Sequence, residues 1–540
     1  MRYRLLLGDE AIAQAALDAG IGGAFSYPGT PATEIFEYIA KDPKVESGEV
    51  SARWSTNEKV AYEEALGMSW VGKRSLVSMK HVGLNVAADP FINSALTGIN
   101  AGLVLLVADD PGVHSSQNEQ DSRFYGDFAQ VPILEPGNQQ EAYDFVLRAF
   151  DLSERLKLPV MVRIVTRLSH SRGNVGVLSE AELPVIEQRD RPPACSWTLV
   201  PAIARARYAA LLVEQVTLTD EALHSPANTL HLAGKRGVIT CGIARNYVLE
   251  ATQGLGDLSM LHLGQYPVPA ELVRRLVDHC DDILVCEDGY PLVEKKLVGL
   301  LGVPAKRIRG RLTGDLPASG ELNPDIMAAA LGMARKSPAA LDDLANRPPQ
   351  LCRGCPHIDS FSAIVQATQD WDPMLFSDIG CYTLGVAPPY RAVHTCVDMG
   401  ASISMALGAS RAGAWPVLCT IGDSTFAHSG MTPLLAAARA DANMTVVILD
   451  NATTAMTGDQ SSLTTGPGLL QVLQGLGVSP DHIHVIEPLH SHQDENVAMI
   501  RHAVEHKGLS VIVSARACVQ SKHKPTRIEM GLDKTPTAHA

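Results

Sequence analysis

The sequence predicts an α/β protein built from three doubly wound parallel-sheet domains, and three observations carry that expectation. Short apolar runs alternate with helix-patterned segments along almost the whole chain. The runs end in Gly, Asp, Asn, Thr or His clusters and then enter helices, which makes neighbouring strands parallel and lines up their C-terminal ends as ligand-binding edges. Finally, 540 residues exceed what one core organises and suit about three or four domains of ordinary size.

The first domain is expected over residues 1–190. Gly23 to Tyr27 reads as a strand ending in Tyr27-Pro28-Gly29-Thr30-Pro31, and Ser75 to Met79 as one ending at Lys80-His81-Val82-Gly83. Gly102 to Ala108 reads as a third, ending at Asp109-Asp110-Pro111-Gly112. Thr30, His81 and His114 are expected to cluster at those ends. Glu58 opens a helix after Asn57, and a carboxylate in a first turn is by default a macrodipole partner.

The charged, proline-rich stretch 186–200 suits a linker. A second α/β domain follows over 200–335, with strands at Gly237 to Thr240, Met260 to Gly264 and Ile283 to Cys286. No catalytic cluster is expected in it, and Glu287-Asp288 reads as a solvated loop. Residues 336–350 read as a second linker, 350–520 as the third domain and 521–540 as a flexible tail.

The third domain holds the most chemistry. An apolar run from Trp415 to Ile421 ends in Gly422-Asp423-Ser424, and after an alanine-rich helical segment a second run, Met444 to Leu449, ends in Asp450-Asn451. In a parallel sheet the two ends lie side by side. Asp423 through its carboxylate, Asn451 through its amide oxygen and Thr453 through its backbone carbonyl are candidate ligands of a hard cation. Magnesium held by so few protein oxygens completes its octahedron with diphosphate. Gly422 lets backbone approach that anion, and the following helix N-terminus attracts it. An ordinary Rossmann-like unit with a polar loop is the plain alternative.

Composition excludes some functions. With 46% hydrophobic and 19% charged residues the chain reads as a globular enzyme, and a net charge of -14 argues against nucleic acid or an anionic membrane as partner. The N-terminal Leu5-Leu6-Leu7 patch is too short for a signal peptide or span, so a cytoplasmic location is expected. Ten cysteines in such a chain point to metal or redox chemistry rather than a disulfide framework.

Together these motifs resemble the alpha subunit of indolepyruvate ferredoxin oxidoreductase, in the thiamine diphosphate-dependent 2-oxoacid:acceptor oxidoreductase family. They are Tyr27 to Pro31, Asn57 to Ala61, Lys80 to Asn85, Asp109 to Gly112 with Ser115 to Asn118, and the third-domain loops. The likeness runs from residue 1 to about 518. It implies, in order, a pyrimidine-binding, a transketolase-C-terminal-like and a diphosphate-binding domain. It also implies that Glu58 activates the aminopyrimidine ring and that Thr30 faces the substrate carboxylate, with Tyr27, Pro28 and Gly29 on the cofactor. Gly380, Cys381, Tyr382, Asp398, Met399, Gly400 and Ser424 fall on cofactor-facing loops, beside magnesium at Asp423, Asn451 and Thr453. His81 and His114 are acid–base groups or substrate-carboxylate donors. Met456 stands where the pyruvate enzymes carry an asparagine, and a flexible apolar side chain suits a bulky aryl substrate.

The family's alpha subunit ordinarily continues into a ferredoxin-like domain, and the resemblance is expected to hold here without it. Cys352, Cys355, Cys381 and Cys518 instead match, in order and context, the proximal 4Fe-4S ligands of the related pyruvate and oxoglutarate enzymes; such a cluster needs four thiolates. The alternative is a structural or zinc pair at Cys352 and Cys355 with two plain cysteines. Cys195, Cys241, Cys280, Cys286, Cys396 and Cys419 read as buried core residues.

The resemblance implies oxidative decarboxylation of an indolepyruvate- or phenylpyruvate-type oxoacid, with coenzyme A as co-substrate and ferredoxin or a similar acceptor. It further implies a small beta subunit and a dimer of alpha–beta units. A non-oxidative thiamine diphosphate decarboxylase or carboligase is the competing enzyme, and an inactive scaffold subunit the competing non-enzyme. Intact Glu58, Asp423 and Asn451 count against the scaffold.

Overall fold

The computed structural model describes residues 2–184, 186, 189–190, 193, 196–254, 256–333, 345 and 347–533. Cys195 and most of the expected linker at 336–350 lie outside the described residues. The chain forms two compact units, Met1–Ala340 and Leu341–Ala540.

The first unit contains a seven-stranded sheet and a five-stranded sheet. The larger sheet orders its parallel strands as Ile133–Leu134, Val160–Val165, Leu103–Asp109, Ser75–Lys80, Gly23–Ser26 and Ser51–Trp54. Its seventh strand, Gln265–Tyr266, pairs antiparallel with Ile133–Leu134 and comes from the segment that builds the second sheet. That second sheet orders Arg307–Arg309, Asp282–Cys286, Arg236–Cys241, Ser259–Leu263 and an antiparallel edge strand, Thr229–His231. The central strands are β-branched and apolar because both their faces are covered by helices.

A buried ion network lies between the two sheets. The Arg123 guanidinium reaches Asp121 at 2.5 Å, Glu287 at 3.1 Å and the Tyr266 hydroxyl at 3.0 Å. Arg163 reaches Asp109 at 2.8 Å and Glu135 at 2.6 Å, and donates to the Asp288 carbonyl at 2.6 Å. The expected solvated loop at Glu287-Asp288 is therefore corrected: both residues are buried. Glu287 accepts from the backbone N–H groups of Val293 and Glu294 at 2.9 Å each, at the start of the helix Leu292–Val298. Buried carboxylates persist only when paired and hydrogen-bonded.

The second unit is a five-stranded, all-parallel sheet in the order Met374–Ser377, Val417–Gly422, Met444–Asp450, Leu509–Ala515, Ile483–Ile486. Its middle strands are wholly buried. Chain beyond residue 520, expected to be flexible, instead packs on this unit as far as it is described. Met530 is buried, Lys522 N–H donates to Asp459 at 2.8 Å, and Glu529 lies against Gly466 at the start of the helix Gly466–Gly475. The apolar anchor Met530 explains the difference. No helix among the described residues is long and apolar enough to cross a membrane.

Candidate active site

In the second unit, the strands Val417–Gly422 and Met444–Asp450 are neighbours, so Asp423 and Asp450 come off adjacent strand ends. Their bonding differs. Asp450 accepts from Thr465 Oγ1 at 2.7 Å, Ala452 N–H at 3.1 Å and Gly466 N–H at 2.8 Å, which ties the end of its strand to the next helix. Asp423 is 2% exposed, and its Oδ2 has no hydrogen-bond partner. Burial first, and the Asp450 charge second, hold the Asp423 carboxyl well above the usual carboxylate range. A buried carboxylate oxygen left bare at the head of a helix is what a divalent cation would satisfy, so the donor set fits magnesium.

The other expected ligands follow the neighbouring strand. Asn451 Oδ1 accepts from Thr453 N–H at 3.2 Å, and Thr453 pairs with Ser461 in the hairpin formed by Thr453–Thr454 and Gln460–Ser461. Thr464 Oγ1 donates to the Asp423 carbonyl at 2.7 Å, and Thr454 Oγ1 to Ser424 Oγ at 2.8 Å. The helix that begins at Asp423 passes through a π-turn at Phe426–Gly430 before continuing as Met431–Arg439, which buries His428 behind the loop. Such turns are rare and favour functional sites. Met456 is 57% exposed, on the same loop.

The loop from Asp378 is organised by a residue to which the sequence reading assigned no role. Asp378 accepts from Gly400 N–H at 2.8 Å and Ser402 N–H at 3.0 Å, capping the helix Ala401–Arg411. Gly400 has φ +93° and lies against Ser429, so a side chain there is excluded twice over. Tyr382 is buried, donates to the Ile379 carbonyl at 2.9 Å and packs its ring against Gly380 and Gly422. Asp398 is exposed and Met399 half-buried beside it.

The thiols of the four candidate cluster cysteines are within electrostatic reach of one another. Cys352 and Cys355 flank a turn closed by Cys355 N–H donating to the Cys352 carbonyl at 3.0 Å, with Gly354 at φ +78°. Burial, and then the adjacent thiols of Cys381, Cys352 and Cys518, push the Cys355 thiol up to about 11. Cys518 N–H donates to the Asn451 carbonyl at 3.1 Å, which joins Cys518 to the loop that follows the strand Met444–Asp450. All four thiols are free. Among the expected core cysteines, Cys241, Cys280, Cys286 and Cys419 are buried. Cys396 is corrected: it is half-buried, with its sulfur 3.6 Å from the Asp378 carbonyl, because the chain there runs as a loop instead of a strand.

In the first unit, Glu58 is 5% exposed and begins the helix Glu58–Trp70 under an Asn57 cap. Its carboxylate lies against Gly83 in the first turn of the helix His81–Thr97. Tyr27 is buried, Pro28 and Gly29 follow it, and the Thr30 carbonyl is 3.5 Å from Ser115 Oγ. His81 is buried, with Nε2 3.3 Å from the Asn118 carbonyl and Nδ1 without a partner. His114 instead turns toward Glu321 at 3.7 Å, its side chain 53% exposed. Lys80, quoted in a motif but given no role from sequence, donates to the Ser115 carbonyl at 2.7 Å; burial pulls its ammonium down to about 8. A lysine closing an apolar strand was the available signal.

Residues 14–230 match the model of Pyruvate flavodoxin/ferredoxin oxidoreductase, thiamine diP-bdg, and residues 378–514 match Thiamine pyrophosphate enzyme, C-terminal TPP binding domain. Among solved structures, a 2-oxoglutarate:ferredoxin oxidoreductase from Magnetococcus marinus shares the fold at TM-score 0.50 and 15% identity, over 61% of this chain and 65% of that one. Fold and site define a thiamine diphosphate-dependent 2-oxoacid oxidoreductase. Indolepyruvate oxidoreductase subunit IorA of Methanothermobacter thermautotrophicus is 38% identical over 96% of this chain and 87% of its own length. The Thermococcus kodakarensis protein of the same name is 37% identical over 96% and 86%. The chain belongs to the indolepyruvate oxidoreductase subunit IorA family.

Proposed function

We propose that this chain is the large subunit of an enzyme that oxidatively decarboxylates an aryl 2-oxoacid of the indolepyruvate or phenylpyruvate type. The bare, buried Oδ2 of Asp423 supports the reading, because a magnesium–diphosphate group would satisfy it. Thiamine diphosphate, when bound, supplies a carbon nucleophile and a sink for the electrons released on decarboxylation. Asp423, Asn451 and the Thr453 carbonyl are assigned to magnesium, and the helix N-terminus at Asp423 to the diphosphate. Glu58 would exchange a proton with the aminopyrimidine ring of the bound coenzyme. Tyr27, Pro28 and Gly29 line that ring.

Thr30 is assigned to the substrate carboxylate, and His81 and His114 to acid–base work or to donation to that carboxylate. The exposed Met456 favours an apolar, bulky substrate side chain. Cys352, Cys355, Cys381 and Cys518 are the ligands of a 4Fe-4S cluster. The mutual influence of their thiols and the link from Cys518 to Asn451 support that assignment. The balanced reaction joins one oxoacid and one coenzyme A and releases carbon dioxide, acyl-CoA and one proton. Its two electrons leave singly to ferredoxin or a similar acceptor. A smaller beta subunit completes the enzyme, as the word subunit in the relatives' names supports, and a dimer of alpha–beta units is the proposed assembly. The proposed location is the cytoplasm.

The test is an anaerobic assay of the chain with its co-purifying small subunit, using indolepyruvate, coenzyme A and a viologen dye. Acyl-CoA formed in step with dye reduction is expected. Aldehyde release without any acceptor would overturn the oxidative reading in favour of a plain decarboxylase.

A further inference from the structure

We propose that Asp9, Glu34 and His170 form a second metal site, for a divalent first-row transition ion of the zinc class, separate from the magnesium loop. One ligand atom from each residue lies within 4.8 Å of the other two, and among the described residues this is the group so placed. The residues come from three helices of the first unit: Gly8–Asp18, Thr33–Ala40 and Thr166–His170.

Asp9 is the observation that points to a ligand. It is fully buried, and neither carboxylate oxygen has a satisfied hydrogen bond. The Ser169 hydroxyl is near enough to offset only part of that burial, and the charged groups that act on Asp9, Glu34 and Glu10, are acidic. The carboxylate has little freedom to turn away, because Gly8 packs against the Leu168 carbonyl and its N–H donates to the Ser171 carbonyl at 3.2 Å. Glu34 Oε2 is also buried without a partner, while Oε1 is 3.6 Å from His170 Nε2.

Two carboxylates and a neutral imidazole cancel the charge of a divalent ion. That mixed nitrogen and oxygen set favours zinc, cobalt or manganese over magnesium or calcium, which take oxygens. A tetrahedral ion needs ligand atoms about 3.3 Å apart, a closure that the half-exposed side chains of Glu34 and His170 can supply by rotating. Solvent would provide the fourth ligand. The ion would tie the helix that follows Thr30 to the chain end of the strand Val160–Val165, behind the loop assigned to substrate.

Full-length protein treated with chelator, then held in excess magnesium, is titrated with zinc by calorimetry beside Asp9→Asn and His170→Ala. The parent should bind one equivalent more than either variant and gain several degrees more in melting temperature. Cobalt should add d–d absorption without thiolate charge transfer, lost in both variants. Equal stoichiometry and equal melting shifts in parent and His170→Ala, an exposed substitution that spares the core, would overturn the proposal.

Discussion

The carboxylate of Glu58 rests on the α-carbon of Gly83: a methyl group there would lie 2.5 Å from Oε1 and 2.8 Å from Cδ. Gly→Ala inside a helix normally stabilises by roughly 0.5–1 kcal/mol. Here the clash reverses the sign, costing about 1–3 kcal/mol as overpacking does, and moves the carboxylate. Gly83→Ala should therefore cut turnover about 100-fold, as displacement of a catalytic group by about 1 Å does. Glu58→Gln should do the same with coenzyme binding retained. Steady-state rates and coenzyme titrations on both variants check this; near-normal turnover in Glu58→Gln removes its assigned role.

Asp288 gives a pH signature. Burial raises its carboxyl to about 6, with Oδ1 accepting from Leu322 N–H at 3.1 Å and Oδ2 bare. Because the folded value is raised, its contribution to stability is full below the unfolded value near 3.9 and is lost as pH rises through about 6. A shift of about two units corresponds to about 3 kcal/mol at most. Asp288→Asn keeps an acceptor for Leu322 and should flatten urea-measured stability between about pH 4 and pH 6.

Arg123 should be far less tolerant. Removing it takes away the closest cation of Asp121 and Glu287, while Glu135 keeps Arg163, and breaking a buried pair from one side costs about 3–5 kcal/mol. Arg123→Ala should lower the urea midpoint accordingly, while truncating the solvent-screened Arg501 in the second unit should leave it nearly unchanged.

Iron content separates the two kinds of cysteine near the Asp378 loop. Anaerobically purified protein should be brown, and Cys352→Ala should lose that absorbance. Cys396→Ser should keep it, because its sulfur faces the Asp378 carbonyl and the Thr383 hydroxyl. Colour that survives Cys352→Ala contradicts the ligand set.

Strand ends were legible because parallel sheets put apolar runs directly before their loops; Asp423, Asn451 and Thr30 were placed on that basis, whereas the role expected of Glu58 came from the family resemblance. What escaped depends on partners distant in sequence. Two acidic residues after a strand look solvated until Arg123 and Arg163, far upstream, are seen to surround them. Gln265–Tyr266 is too short to register as a strand, yet it joins the sheet of the preceding segment. Asp378 caps a helix that begins at Ala401. Met530 was hidden because one apolar anchor in a polar tail leaves no periodic pattern.

Calorimetric titration of thiamine diphosphate into parent and Asp423→Asn protein, with and without magnesium, bears most directly on the central claim. The parent should bind only with magnesium, more tightly as pH rises because the raised Asp423 carboxyl must release its proton first. The variant should lose magnesium-dependent binding by at least about 100-fold, equivalent to about 2.7 kcal/mol. Equal affinity in the two proteins, or binding indifferent to magnesium, would contradict it.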